Sequence, residues 1–507
     1  MGEEGRVDIH VAERPVRRSR SDLWFISYLP LALSDGLATP LVPLLALLVF
    51  HTNAFGVTIV IAGAALSEVP FTVLWGNLSD RVRHRKYFLV ASFAVGGVLL
   101  VAMALTRSLT SFFVLNVLEG LASSASAPVG TMLLLETRTK RWWPRDLGFF
   151  GVVSGVGTVI GLGIGFLWFS LAPASTGALA EETLRFLLGL SGVLALLAAG
   201  LAALWVEEPR QILPREETLP VARRTSGVLE RFRRSRRRLV YIVSLARGSA
   251  ERIPRGEYAF LGALFVMSVG FQVFYGPFPY YLVQAAGLDE GGVFLVYLTS
   301  AIAATALFYH SGLLVEKVNP KWVFIASLVA RAALLLLFLE VIHGLPIPSA
   351  AAELSLAGLN AAMGVTWAFI STASTLFLLR LARGPARGKA LGWYNALAGL
   401  GGLAGTLLGG WAYTYYGSTT TFELASFAVL LGVAVLAPIA YRPIPYQPVP
   451  LTIKGPAPRR ASGRGAPLRD VPGIPPSPED SPRGSPSGSG TAPGPAPRSP
   501  GAGRSSR

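Results

Sequence analysis

Apolar and polar positions in this chain alternate on the scale of whole helices, not of single turns. Apolar runs occupy residues 23–50, 55–75, 87–105, 112–135, 147–171 and 184–206. After a polar, arginine-rich stretch at 207–257 they resume at 258–283, 293–314, 322–342, 350–379, 391–415 and 422–441. Each run is close to or above the roughly 20 residues that cross a bilayer as a helix. The pattern predicts an all-α membrane protein with twelve transmembrane helices in two six-helix halves. Its parts are an N-terminal polar segment (1–22), the first half (23–206), a basic linker (207–257), the second half (258–441) and a tail (442–507). Pro40 and Pro43 are expected to bend the first span. The tail is dominated by proline, glycine, serine and arginine, cannot bury a core, and is expected to be disordered.

The halves repeat. Between the second and third spans stands Gly76-Asn77-Leu78-Ser79-Asp80-Arg81-Val82-Arg83-His84-Arg85-Lys86, and between the eighth and ninth Gly312-Leu313-Leu314-Val315-Glu316-Lys317. In each, glycine is followed four positions on by an acid and then directly by a base. The fifth span runs Leu147-Gly148-Phe149-Phe150 and continues through Gly155, Gly157, Gly161 and Gly165. The eleventh runs Leu391-Gly392-Trp393-Tyr394 and continues through Gly399, Gly401, Gly405 and Gly409, every glycine in register. Small residues at four-residue spacing let membrane helices pack backbone to backbone.

Composition narrows the chemistry. Hydrophobic residues make up 52% and charged residues 15%, against roughly 25% charge in a soluble domain. Mean hydropathy is +0.50. The net charge of +16 lies mostly in loops and tail, so no nucleic-acid partner is expected. There are no cysteines, which excludes disulfides, thiolate metal sites and a cysteine nucleophile. No phosphate-binding loop, metal-ligand cluster or nucleophile–base arrangement is present, so neither an enzyme nor a cofactor is expected.

Lysine and arginine fall on alternate loops: the N-terminus, 81–86, 138–145, the linker, Lys317 with Lys321, and 380–389. The intervening loops hold Arg107 and Arg185 as their clear bases. By the positive-inside rule, both termini and the linker are expected in the cytoplasm of a plasma-membrane protein. The run after residue 22 is too long for a cleaved signal peptide. Arg231-Phe232-Arg233-Arg234-Ser235-Arg236-Arg237-Arg238 could attach the linker to anionic lipid, each base contributing about 1 kcal/mol.

The loop after the second span resembles the signature G-x-x-x-D-R-x-G-R-R/K of the major facilitator superfamily. Gly76, Asp80, Arg81 and Arg85 match; Arg83 and His84 depart from it. Gly312, Glu316 and Lys317 resemble its degenerate second copy. The resemblance implies the superfamily's twelve-helix fold and alternating access, with Gly76, Asp80, Arg81, Arg85 and their second-copy counterparts in gating. The glycines Gly148, Gly157, Gly161 and Gly165 also resemble the fifth-helix signature of its antiporters, with Leu162 in place of the proline. Packing is the simpler role for these and for Gly392, Gly401, Gly405 and Gly409.

Ionisable groups inside a membrane cost at least about 2.5–3.5 kcal/mol at the centre, so they need a partner, water or a function. Asp35 lies roughly 16 Å into the first span at the helical rise. Glu68 occupies the middle of the second, and Glu119 the fourth, three residues after Asn116. The resemblance puts all three acids on helices that line the central cavity. An acid neutral in one conformation and charged in another is what proton coupling requires. Where exporters of the superfamily carry R-x-x-Q-G, this chain has Asn116-Val117-Leu118-Glu119-Gly120. Arg331, deep in the ninth span, is taken as an interhelical or snorkelling residue. The second half offers Gln272, Tyr275, Asn360, Trp367, Tyr394 and Asn395, an aromatic wall with amides that suits an amphipathic organic solute. The leading expectation is proton-coupled export of such a small molecule. The alternatives are a uniporter or importer of a sugar or other nutrient, and a non-transporting membrane sensor or scaffold.

Overall fold

Lipid offers no hydrogen bonds, so each crossing segment must satisfy its own backbone, and the helix does so. The computed structural model describes residues 20–82, 85–137, 143–171, 178–207, 255–381 and 386–439. Within these the elements are α1 (Tyr28–Leu44), α2 (Ala54–Val82), α3 (Arg85–Leu105), α4 (Leu109–Ser123), α5 (Ser126–Thr137), α6 (Trp143–Leu171) and α7 (Ala178–Trp205). The second half has α8 (Arg255–Tyr275), α9 (Glu290–Lys317), α10 (Pro320–Gly344), α11 (Ala350–Leu381) and α12 (Ala386–Leu436). Helices begin where side chains satisfy free N–H groups. Asp289 Oδ1 accepts from the Gly292 amide at 2.7 Å, and Asn319 Oδ1 from the Lys321 amide at 3.0 Å, just before Pro320.

Among the described residues, eleven stretches are long and apolar enough to cross a membrane. The last, Gly392–Leu436, holds 45 residues, about 68 Å of helix at 1.5 Å per residue against a hydrocarbon core of about 30 Å. It breaks at Gly417, whose φ of 80° and ψ of −177° are not helical, and so supplies two crossings. Twelve spans result. The Gly417 conformation is essentially closed to residues with a Cβ and costs them about 1–3 kcal/mol. No atom lies within 4 Å of a Cβ placed there, so Gly417→Val is expected to destabilise by that conformational amount alone. The thermal midpoint of the purified protein reads it, and an unchanged midpoint would show that this backbone geometry does not hold the reversal.

Three sequence-based boundaries shift. The fourth span is two helices, α4 and α5, parted at Ser124 and Ala125. Most of the 76–86 loop is helical, because α2 continues to Val82 and α3 starts at Arg85. Helix α8 runs from Arg255, three residues before the apolar run. The segment before residue 20, most of the linker and the tail beyond residue 439 lie outside the described residues.

The duplication is visible in the backbone. Pro43 precedes a five-residue π-type turn at Leu45–Val49, and Pro279 precedes another at Tyr281–Ala285. Asn116 donates from Nδ2 to the Val60 carbonyl, and Asn360 to the Val296 carbonyl, each at 2.7 Å. The displacement that carries Leu45 onto Tyr281 also carries Val60 onto Val296. That which carries Gly148 onto Gly392 carries Asn116 onto Asn360.

Glycines set the closest helix contacts. A Cβ at Gly161 would run into the Leu33 carbonyl of α1, and one at Gly157 into the Leu29 carbonyl. In the second half, Gly401, Gly405 and Gly409 meet the Phe265, Val269 and Val273 carbonyls of α8. Gly165 instead faces the Phe294 ring of α9, and Gly392 borders open space. The surroundings of Gly148 lie outside the described residues.

The halves meet near the base-poor helix ends and also further in, where Gly155 of α6 abuts Thr305 of α9. The Phe55 amide donates to Thr414 Oγ1 at 3.0 Å, and Gly410 abuts Thr58. On the opposite side of the bundle, Phe169 and Phe294 have ring centroids 5.7 Å apart. These groups belong to the helix ends beside 51–53, 287–289 and Gly417, the loops poor in basic residues. Nearer the basic loops, Gly151, Gly312 and Gly392 face open space.

Candidate functional site

Two glycines turn the first-half acids toward one another. A Cβ at Gly36 would strike the Thr158 carbonyl of α6, so this face of α1 is pressed against α6. Asp35, about 100° away around a 3.6-residue helix, is turned off that contact and is exposed. On α4, Gly120 packs on Ala64 and Ser67 of α2, which turns Glu119 toward α3. There Gly96 makes room for it, with Glu119 Oε1 3.8 Å from where a Cβ would stand.

The result is a pocket of about 40 Å³ lined by Ser34, Asp35, Ser92, Gly96, Glu119 and Ser123, among others. It is polar and exceeds the roughly 10–15 Å³ that a water needs. Ser34 Oγ is fully buried and has no hydrogen-bond partner among the described residues. Glu68, exposed on α2, lies within electrostatic reach of both Asp35 and Glu119. Two of the three acids that the sequence singles out, Asp35 and Glu119, therefore line one pocket. Asn116 does not join it, because its amide is buried and ties α4 to α2.

The second half has the opposite charge at the corresponding place. Arg331 of α10 is 2% exposed and crosses between α8 and α11. It donates from one terminal nitrogen to the Met363 carbonyl at 3.0 Å and Thr366 Oγ1 at 3.1 Å, and from the other to Tyr275 Oη at 3.0 Å. Its guanidinium carbon stands 4.7 Å from the Phe271 ring centroid, 5.4 Å from Tyr275 and 5.7 Å from Trp367. The repeat explains the position. The displacement of Val60 onto Val296 carries Asp35 onto Phe271, and that of Asn116 onto Asn360 carries Glu119 onto Met363. Where the first half has two acids around a pocket, the second has a ring face and a carbonyl around a guanidinium. Arg331 is interhelical, as its sequence suggested, and does not snorkel. Its reach to α8 and α11 was hidden because the position of α10 in the bundle says nothing about where a long side chain ends.

The other candidates divide. Gln272 Oε1 accepts from Thr406 Oγ1 at 3.4 Å, a marginal contact. Tyr394 Oη and Ser374 Oγ are 2.9 Å apart, and its ring stacks on Phe260. Asn360 is buried, tying α11 to α9, with its Oδ1 unpartnered. Trp367 is 44% exposed beside the Arg331 cluster, and Asn395 is exposed. Of the gating residues, Arg85 is buried and Lys317 exposed. The side chains of Asp80, Arg81 and Glu316 and the environment of Gly76 lie outside the described residues. Among the described residues no group of three or more histidine or acidic side chains could hold a metal ion.

Comparison with known proteins agrees with this architecture. The family model for the Major Facilitator Superfamily matches residues 24–309 and 260–472. No curated protein matches the sequence. Among solved structures, the nucleoside transporter NupG is 14% identical, with a TM-score of 0.60 over 83% of this chain and 99% of that one. The inward-open xylose transporter XylE from E. coli is 13% identical, with a TM-score of 0.62 over 83% and 97%. An auto-inhibited POT family peptide transporter is 12% identical, with a TM-score of 0.63 over 85% and 98%. At these identities the likeness is one of fold. The chain is a multi-pass membrane protein of the Major Facilitator Superfamily, whose fold carries small molecules across membranes by alternating access.

Proposed function

We propose that this protein is a proton-coupled exporter of an amphipathic organic solute. The observation that carries this reading is the pocket shared by Asp35 and Glu119 within one half. Two carboxyl groups, one buried hydroxyl and space for water can take up and pass on a proton. Glu68 adds negative charge beside them, which makes a proton or an organic cation the favoured visitor. The aromatic and amide groups of the second half, Trp367, Tyr394, Gln272 and Asn395, provide the apolar and hydrogen-bonding wall. With the basic loops in the cytoplasm of a plasma-membrane protein, the contacts of Phe55 with Thr414 and of Phe169 with Phe294 lie toward the outer end. Solute would enter from inside, and a proton taken from outside would reset the carrier.

Proton release on adding solute to the purified full chain tests this. Tetraphenylphosphonium serves as an amphipathic cation, with a monosaccharide and a nucleoside as comparators. Release triggered by the cation and lost in Asp35→Asn or Glu119→Gln is the expected result. Saturable binding of the sugar without any proton release would favour the uniporter or importer. If no solute binds, while removing the tail abolishes a cellular effect of the gene, the scaffold reading would stand instead.

A further inference from the structure

A larger cavity lies elsewhere, at the helix ends near the base-poor loops. Spans three and six, α3 and α7, cross where Gly97 and Gly192 touch. A Cβ on Gly97 would stand 2.8 Å from the Gly192 carbonyl, and one on Gly192 would stand 2.7 Å from that of Gly97. From this crossing the helices border a wedge of about 850 Å³ that reaches Val49 and Phe50 at the end of the first span. Its walls are apolar: Val101, Leu105, Phe186, Leu190 and Val193, with Leu105 77% and Phe186 54% exposed. No such apolar surface would face water in a folded membrane protein, so the wedge opens toward lipid.

Its rim is charged. Arg185 is already engaged: Nε pairs with Glu181 Oε1 at 2.8 Å, and Nη1 bonds the Ala104 and Thr106 carbonyls that end α3. That leaves Arg107 and Glu182, one on each side of the wedge, both exposed and in no hydrogen bond or ion pair among the described residues. One cation and one anion over an apolar slot match a molecule with a phosphate, an amine and a chain.

We propose that this wedge binds one zwitterionic phospholipid from the leaflet opposite the basic loops. Its phosphate meets Arg107, its amine meets Glu182, and an acyl chain fills the slot down to Gly189. The volume falls within the roughly 300–1,000 Å³ of organic-ligand sites. A lipid there holds α3 and α7 apart at one end, and so bears on how the first half rocks.

Native mass spectrometry of the delipidated full chain, titrated with palmitoyl-oleoyl phosphatidylethanolamine, tests the assignment. One lipid is expected to bind before the rest. A Cβ at Gly189 would meet only the Ala104 methyl, at an ordinary 3.7 Å, so Gly189→Leu is expected to keep the fold, fill the slot and remove that first event. Arg107→Gln, at an exposed position, is expected to weaken it about tenfold, the value of one hydrogen bond to a charged group. Equal binding by native chain and both variants would overturn the site. Equal binding of the phosphate-free diacylglycerol, or displacement by inorganic phosphate alone, would overturn the phospholipid as its occupant.

Discussion

Asp35→Asn in proteoliposomes is expected to abolish uphill solute movement driven by a pH gradient, while solute-for-solute exchange continues. A gradient of one pH unit stores about 1.4 kcal/mol per proton, enough for about tenfold accumulation. The variant should fall from that ratio to unity. Asparagine keeps the size and polarity of the side chain, so Gly36 still packs on α6 and the fold survives, but no proton can be carried. Glu119→Gln should have the same effect, because Glu119 lines the same pocket. The double variant should be no worse than either single one, as expected of groups that act as a unit. Glu68→Gln should be milder, because Glu68 reaches the pair through its charge alone. Tenfold accumulation by either Asp35→Asn or Glu119→Gln would remove proton coupling from that pocket.

Much of this was legible in the chain because the membrane constrains it so strongly. Length and apolarity located the spans, and glycine register disclosed the duplication. The break at Gly417 falls between the eleventh and twelfth apolar runs, where the gap of 416–421 had placed it. The three acids stood out since charge is rare inside such helices. What the sequence did not give was their company. Whether Asp35 meets Glu119 depends on Gly36 and Gly120, which fix the rotation of α1 and α4 against other helices. Ser34, Ser92 and Ser123 are ordinary serines until α1, α3 and α4 close around a pocket. Asn116 and Asn360 stand out in the sequence as solute-site candidates, and only the packed helices show each donating from Nδ2 to a carbonyl of the neighbouring span, with Asn360 Oδ1 left without a partner among the described residues. The π-type turns after Pro43 and Pro279 were a second sign of the repeat, available in the sequence as two prolines at matching places.

Arg331 carries the other large expected effect, this time on stability. Arg331→Met is expected to lower the thermal midpoint sharply, by more than any substitution of an exposed loop base. The guanidinium joins three helices: its own α10, α8 through Tyr275, and α11 through Met363 and Thr366. Hydrogen bonds to a charged group contribute about 1.5–3 kcal/mol each, and ring contacts to a desolvated cation about 2 kcal/mol. Against this, methionine spares the cost of holding a charge away from water, and replacing buried charge by apolar packing is sometimes favourable. The balance turns on what is left behind. Tyr275 Oη would lose the one donor that it has here, and the aromatic faces of Phe271 and Trp367 would lose the cation between them. The Met363 carbonyl would keep the Thr366 hydroxyl and its place in the helix ladder, so its loss is the smaller one. Arg331→Lys discriminates between charge and geometry. A lysine keeps the positive charge but cannot span Tyr275 and Met363 with a planar fork, so a loss close to that of methionine means that the bridging geometry matters. If instead lysine restores native stability, the charge alone suffices. A midpoint that stays unchanged in Arg331→Met would show that the three helices are held by packing without the guanidinium.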